Sequence, residues 1–112
     1  MIHYMKLQNK PFEKIKNGSK TVELRLYDEK RRLVGVGDKI VFTCFSDDAR
    51  TVSVLVTAIH RFDSFEMLYK NIPHEKCGYG VGETADYRDM EEYYSPEEQR
   101  KHGVVGIEFE LM

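Results

Sequence analysis

Hydrophobic and polar residues alternate over several short stretches of the chain. The clearest is residues 21–27, where Val22, Leu24 and Leu26 alternate with polar residues and a tyrosine. A period of two is typical of a half-buried β-strand. It places Glu23 and Arg25 on one face of that strand. Similar patterns, rich in apolar and β-branched residues, predict four further strands at residues 3–7, 39–45, 51–60 and 104–112.

Helix start and stop signals stand between these strands. Pro11 can open a short helix that ends at Gly18, because glycine readily takes the left-handed conformation of a C-cap. Asp63 is predicted to be the N-cap of a second helix, with Glu66 as its reciprocal partner. Ser95, followed by a proline, predicts the N-cap of a last helix.

The remaining segments are predicted to be mostly loops. Residues 28–38 combine a run of charges with two glycines, and residues 46–48 are expected to be the turn of a hairpin. Residues 74–82 are irregular and rich in glycine, whereas residues 86–94 are expected to be helical.

These elements predict an α+β fold in one domain over residues 1–112. Most of the strands can pair antiparallel, and strands with one apolar face commonly curl into a small barrel that removes exposed edges. We therefore expect a mixed, mainly antiparallel β-barrel of five to six strands with inserted helices.

The net charge of −2 argues against a DNA-coating protein, which needs a large excess of Lys and Arg. The charge is unevenly distributed, however. Residues 1–56 carry eleven Lys or Arg against seven Asp or Glu, whereas residues 57–112 carry six against twelve. An anion is expected to approach the first half, near Lys20, Arg25 and residues 30–32. A weaker alternative is that the acidic second half binds another protein.

Several classes of site are not favoured by the sequence. Two cysteines in different settings predict reduced thiols rather than a disulfide framework. Four scattered histidines, without ligand spacing, predict no metal site, and no cofactor is expected. The N-terminal residues lack the apolar stretch of a signal peptide, and no apolar run suits a membrane span. We therefore expect a soluble, cytoplasmic protein that does not contact a membrane.

The strongest candidate for chemistry is the group formed by Lys20, Glu23 and Arg25. Arg25 offers a planar fork for phosphate or carboxylate, and Lys20 a compact point charge. The alternative is an exposed strand face that carries charges without a function, which is the more common case for charged runs.

The spacing of Gly18, Lys20, Glu23 and Arg25 resembles the GxKxxExR signature of the ASCH domain family. Residues 11–17, the Gly37-Asp38 turn, residues 78–83 and residues 103–108 are also similar to small bacterial ASCH proteins. The resemblance implies a barrel like that of the RNA-binding PUA domain. It also implies a cleft, lined by the signature residues, for RNA, a nucleotide or a modified nucleoside.

The same resemblance raises an enzymatic alternative. Some small members of the family are amidohydrolases of N4-acetylcytidine that use a Lys, a Thr nucleophile three residues later and a Glu further along. Lys20 matches the Lys and Glu83 is a candidate for the later Glu, but Glu23 stands at the nucleophile position, with Thr21 beside Lys20. Attack by Thr21 would need a base and oxyanion donors, whereas a carboxylate could activate water directly.

The glycine-rich segment at residues 78–83 lacks the Lys and Ser/Thr of a P-loop. We expect it to be a loop over the cleft, whose glycines allow close backbone approach. Tyr79 and Tyr87 could stack on a base, or could pack in the core or at the rim.

Overall fold

The structure is a computed structural model that describes residues 1–112. It is a mixed α+β fold in which a five-stranded sheet curls into a half-barrel, and the predicted fold class is confirmed. The strands are β1 (Ile2–Leu7), β2 (Val22–Leu26), β3 (Lys39–Cys44), β4 (Asp47–Phe62) and β5 (Val104–Leu111). The helices are α1 (Asn9–Lys16), α2 (Glu29–Arg32), α3 (Phe65–Asn71) and α4 (Pro96–His102), with 3₁₀ helices at His74–Cys77 and Tyr87–Glu92. None of them is long and apolar enough to cross a membrane.

The strand order leaves β1 and β2 at the two edges of the sheet. The order is β1-β3-β4-β5-β2, with β1 parallel to β3 and every other pair antiparallel. Side chains, rather than a backbone ladder, connect the two edges: Nη2 of Arg25 on β2 donates to the carbonyl oxygen of Lys6 on β1 at 2.9 Å. The barrel is therefore open between β1 and β2.

Two hydrophobic clusters hold the sheet and helices together. The first packs α1 against β1, β3 and β4 and includes Phe12, Ile15 and Phe42. The second packs α3 against β2 and includes Val22 and Leu68. All five of these side chains are at most 1% exposed. Each large apolar side chain buried in this way contributes about 1.5–3 kcal/mol.

Gly106 on β5 allows α3 to approach the sheet closely. A Cβ atom at this position would lie 2.9 Å from Cδ1 of Ile72 and 3.1 Å from Cγ1 of Val22. Any larger residue would therefore push α3 away from the sheet or force these side chains to move.

The helix caps are partly as predicted. Ser95 caps α4, as predicted, and the structure adds a capping box between Ser95 and Glu98. The prediction of Asp63 as N-cap of α3 is wrong by one residue. The backbone is extended at Ser64, and the hydroxyl of Ser64 accepts the hydrogen bond from the Met67 amide at 3.3 Å.

Three boundaries also differ from the prediction. The charged run expected to be loop contains α2, because the Asp28 side chain caps it by accepting from the Arg31 amide at 3.1 Å. Strand β4 begins at Asp47 rather than at residue 51, so the hairpin turn is tighter than predicted. The helix expected over residues 86–94 is the 3₁₀ helix Tyr87–Glu92, capped by Asp86.

Candidate functional site

A cleft of about 800 Å³ lies where the half-barrel is open. Its walls come from β1 and the start of α1 on one side and from β2 on the other, with α2, the loop at residues 78–83 and the segment at residues 89–94 around the rim. This volume is within the range of about 300–1,000 Å³ found for small-molecule sites.

The floor of the cleft holds a buried carboxylate between two cations. Glu23 is only 4% exposed. Its Oε1 lies 3.0 Å from Nζ of Lys20, and its Oε2 lies 2.9 Å from both Nε and Nη2 of Arg25. The strand alternation of β2 places Glu23 and Arg25 on this face, and Lys20 enters from the turn before β2. The three groups together carry one net positive charge.

The two cations decide the ionisation of Glu23. Burial alone would raise the pKa of the carboxyl, but Lys20 and Arg25 outweigh it and hold the pKa below its ordinary value of 4.5. Burial would lower the pKa of the Arg25 guanidinium, whereas Glu23 raises it above its ordinary value. The cluster is therefore a charged one, with Glu23 as the anion that keeps both cations in place.

Cations also cover the free edge of β1. In a parallel pair, alternate residues of an edge strand direct their N–H and C=O groups away from the sheet. The carbonyl of Lys6 accepts from Arg25, and the carbonyl of Tyr4 accepts from Nζ of Lys30 at 3.0 Å. The same edge therefore positions Arg25 and Lys30 over the opening of the barrel.

The loop at residues 78–83 is tied to helix α1 across the cleft. Oε1 of Glu83 accepts from Nζ of Lys14 and from the Gly80 amide, both at 2.9 Å, and Lys14 also donates to the Gly78 carbonyl. The hydrogen bond from Lys14 is the main cause that lowers the pKa of Glu83 to about 2. A Cβ atom at Gly78 would lie 3.2 Å from Cδ of Lys20. The backbone at Gly78 therefore packs closely against the Lys20 side chain.

Tyr79 belongs to a hydrogen-bonded aromatic group on the wall of the cleft. Its hydroxyl lies 2.9 Å from the Tyr69 hydroxyl and donates to Oδ2 of Asp89 at 2.9 Å. Burial is the main cause of the raised pKa of both tyrosines. These contacts fix the Tyr79 ring at the cleft surface.

The lining is rich in both cations and aromatic rings. Seven Lys or Arg side chains line the cleft against three Asp or Glu, and six Tyr or Phe rings accompany them. Tyr4, Phe45 and Tyr93 are each more than 60% exposed. The surface therefore combines positive charge with accessible flat rings.

Two of the predicted site residues lie outside this lining. Thr21 is half-buried and directly precedes β2, where its amide donates to the Lys76 carbonyl at 2.9 Å. Tyr87 begins the second 3₁₀ helix and packs against the cluster between α3 and β2. The structure thus brings together Lys20, Glu23 and Arg25, with Tyr79 and Glu83 around them.

Sequence reasoning missed several residues of the cleft. Lys14, Tyr69 and Asp89 position the loop and Tyr79, while Lys6 and Tyr94 add to the lining. Lys6 carries a weak signal, because alternation in the predicted first strand places it opposite Met5 and Leu7 and hence on the polar face. The other residues carry no such signal in the sequence. Their position in the cleft depends on how distant segments of the chain pack against β2.

Other groups with potential chemistry have local structural partners. His3 bonds to Asp38, and His60 to Glu108, both at 2.8 Å. Cys77 lines the cleft, but burial raises the pKa of its thiol to about 11, which makes it a weak nucleophile. No three His, Cys, Asp or Glu side chains lie close enough together to hold a metal ion.

Comparison with known proteins assigns the fold and the family. The ASCH domain family model matches residues 5–112. The crystal structure of the hypothetical protein PH0355 is 32% identical, with each chain fully covered and a TM-score of 0.84. The solution structure of protein PF0455 from Pyrococcus furiosus is 33% identical, with a TM-score of 0.73 over 100% of this chain and 98% of that one.

A more distant structure has the same fold. The crystal structure of ASCH from Zymomonas mobilis is 15% identical, with a TM-score of 0.69 over 98% of this chain and 69% of that one. No curated protein sequence matches the chain. The family match covers nearly the whole chain and includes the cluster at the floor of the cleft. The chain therefore belongs to the ASCH domain family.

Proposed function

We propose that this ASCH domain binds RNA, or a nucleotide or modified nucleoside, in the cleft between β1 and β2. The observation that carries the proposal is the pairing of a cationic floor with exposed aromatic rings in a single cleft. Nucleic-acid phosphates need cations, and unpaired bases need flat rings on which to stack. An RNA-binding role also agrees with membership of a PUA-like family.

Arg25 and Lys20 are the groups proposed to hold phosphate or base acceptors. The contacts of Arg25 with Glu23 and Lys6 use Nε and Nη2. Tyr94 also contacts the guanidinium, so the ligand is proposed to meet the donors that remain beside Tyr94. Lys20 has three donors and directs one towards Glu23. Because Glu23 fixes both side chains before binding, little side-chain entropy is lost when the ligand arrives.

Glu23 has a positioning role in this proposal. Its carboxylate already accepts from three nitrogens, which leaves about one of its roughly four acceptor sites for an exocyclic amine. Tyr79 and the exposed Tyr93 are proposed as stacking surfaces for bases. Tyr87, which lies outside the lining, is not part of the proposed site.

The amidohydrolase alternative has less support from the geometry. Thr21 lies outside the cleft lining, and its backbone amide and carbonyl are both used in bonds to Lys76 and Phe109. The Glu83 carboxylate is held by Lys14 and Gly80, and its pKa of about 2 makes it a weak base. A binding site without covalent chemistry is the simpler account of these residues.

The experiment is to measure the affinity of a fluorescent single-stranded RNA of about four nucleotides by anisotropy. The Arg25→Lys variant keeps the charge but loses the planar fork, and should bind on the order of tenfold more weakly. Arg88→Lys is the matched control, since Arg88 pairs with Asp86 outside the cleft. Thermal unfolding verifies that both variants are folded. Equal affinity of the two variants would contradict the proposal.

A further inference from the structure

A second concave surface lies beyond the end of β2. It is a groove of about 580 Å³, here named the Tyr27 groove, lined by Tyr27, residues 61–63 and residues 100–104. Its elements are the ends of β2 and β4, the start of β5 and the C-terminal turn of α4. It has no lining residue in common with the cleft.

Two guanidinium groups stack on the ring of Tyr27 in this groove. Cζ of Arg61 lies 4.4 Å from the ring centroid, and Cζ of Arg32 lies 4.7 Å from it. Arg32 is fixed further, since its Nε donates to the Tyr27 carbonyl at 2.9 Å and its Nη2 to the His102 carbonyl at 3.4 Å. Stacking holds an arginine in place while its N–H edge stays open to a phosphate.

The positive charge of the groove is not neutralised within the protein. The side chains of Arg32, Arg61, Arg100 and Lys101 are exposed, and none of them forms a salt bridge. Asp63 is the one carboxylate in the lining. The negative end of the helix dipole favours basic residues in the last turn of α4, which explains Arg100 and Lys101. It does not account for Arg32 and Arg61, which come from α2 and β4.

The groove and the cleft are formed by neighbouring residues on two segments of the chain. Arg25 on β2 lines the cleft, and Tyr27, directly after the end of β2, lines the groove; two residues of extended chain span about 7 Å. On α2, Arg31 lines the cleft, while the next residue, Arg32, stacks on Tyr27. The two surfaces therefore lie close enough together for one extended ligand to contact both.

We infer that the Tyr27 groove binds backbone phosphates of a single-stranded RNA that extends from the cleft. This inference rests on the proposed function of the cleft and adds a second contact region to it. The groove fits phosphates better than bases, because the Tyr27 ring is already covered by guanidinium groups. The domain thus binds a base or nucleotide in the cleft, and contacts between the groove and the adjoining RNA phosphates increase the affinity.

The test compares two RNAs, of about four and about twelve nucleotides, by anisotropy over a range of salt concentrations. The Arg61→Gln/Lys101→Gln double variant removes two cations of the groove. Lys16→Gln/Lys70→Gln is the control with the same net charge, since both lysines are exposed and line neither the cleft nor the groove. All four positions are on the surface, so both proteins should fold, which circular dichroism verifies.

The inference predicts that the groove variant binds the longer RNA on the order of tenfold more weakly than the control. Its salt slope should fall by about 0.7 for each lost phosphate contact, while the shorter RNA binds equally to both proteins. Equal binding of the longer RNA, or equal weakening for both RNAs, would overturn the inference and leave the cleft proposal intact. Failure of the unmodified protein to bind either RNA would instead overturn the proposed function.

Discussion

The Lys20 ammonium lies 3.0 Å from the Glu23 carboxylate, and the two side chains are only 10% and 5% exposed. Arg25 contacts the same carboxylate from the other side. Removing one member of a buried ion pair leaves an uncompensated charge, which costs more than the intact pair contributes. The cluster at the floor of the cleft therefore contributes to folding as well as to the proposed binding site.

Replacing Glu23 with Gln should destabilise the fold by about 3 kcal/mol near neutral pH, because two buried cations lose their anion. Urea unfolding followed by circular dichroism measures this free energy. Glu110→Gln is the control, since Glu110 is an exposed carboxylate on β5 without a salt bridge. A loss no larger than that of the control would show that Glu23 does not hold the cluster together.

The destabilisation caused by Glu23→Gln should depend on pH. The folded-state pKa of Glu23 lies below its ordinary value of 4.5, so its stabilising effect is complete above that pH. It is lost as the pH falls through the folded-state pKa. The difference in unfolding free energy between Glu23→Gln and the unmodified protein should therefore stay constant from about pH 7 to about pH 6 and narrow as the pH falls below 4.5. A difference that does not change with pH would argue against an ionised Glu23.

The Glu83 carboxylate should control the mobility of the loop at residues 78–83. In Glu83→Ala the Gly80 amide loses its acceptor, and Lys14 loses the carboxylate that ties the loop to α1. Hydrogen exchange of the Gly80 amide should be faster than in the unmodified protein. Glu75→Ala, which changes an exposed carboxylate of the neighbouring 3₁₀ helix, should leave it unchanged. Exchange at Gly80 that is equal in all three proteins would refute this role.

A methyl group at Gly106 should destabilise the fold, because buried side chains must move to make room for it. Gly106→Ala places Cβ 2.9 Å from Ile72 on the side of α3, and overpacking of this kind costs about 1–3 kcal/mol. Gly35→Ala is the matched control, because the nearest atom to its Cβ is the Asp38 carboxylate at 3.8 Å. Thermal unfolding should show a clearly lower midpoint for Gly106→Ala than for Gly35→Ala. Equal midpoints would mean that α3 shifts without cost.

The sequence was most informative where the signal is local. Alternation in residues 21–27 predicted β2 and placed Glu23 and Arg25 on one face, and Ser95 with Pro96 predicted the start of α4. The cap of α3 was wrong by one residue, because Asp63 and Ser64 are both good N-caps and only the backbone conformation selects Ser64.

The strand order and the contacts between distant residues could not be predicted from the sequence. The position of β5 between β4 and β2 depends on pairing between distant segments, and it decides that the barrel opens between β1 and β2. The contacts of Lys14 with Glu83 and of Arg61 with Tyr27 likewise join residues far apart in the chain. Alternation predicts which face a residue occupies and leaves open which residue it meets.

Hydrolysis of N4-acetylcytidine separates the binding account from the enzymatic alternative. The binding account predicts no release of acetate from this nucleoside, as measured by chromatography of the products. Thr21 lies outside the cleft, and the lowered pKa of Glu23 makes its carboxylate a weak base for activating water. Release of acetate that disappears in Lys20→Ala but persists in Lys16→Ala would favour the hydrolase. Lys16 is an exposed lysine of α1 outside the cleft lining, so it controls for the loss of one charge.

The proposed function requires RNA to occupy the cleft over the Lys20, Glu23 and Arg25 cluster. Nuclear magnetic resonance of isotope-labelled protein, titrated with a single-stranded RNA of about four nucleotides, tests it most directly. The largest shifts of backbone amide signals should fall on residues 20–25, 78–83 and 93–94, which surround the cleft. Shifts confined to other surfaces, or no shifts at saturating RNA, would contradict the claim.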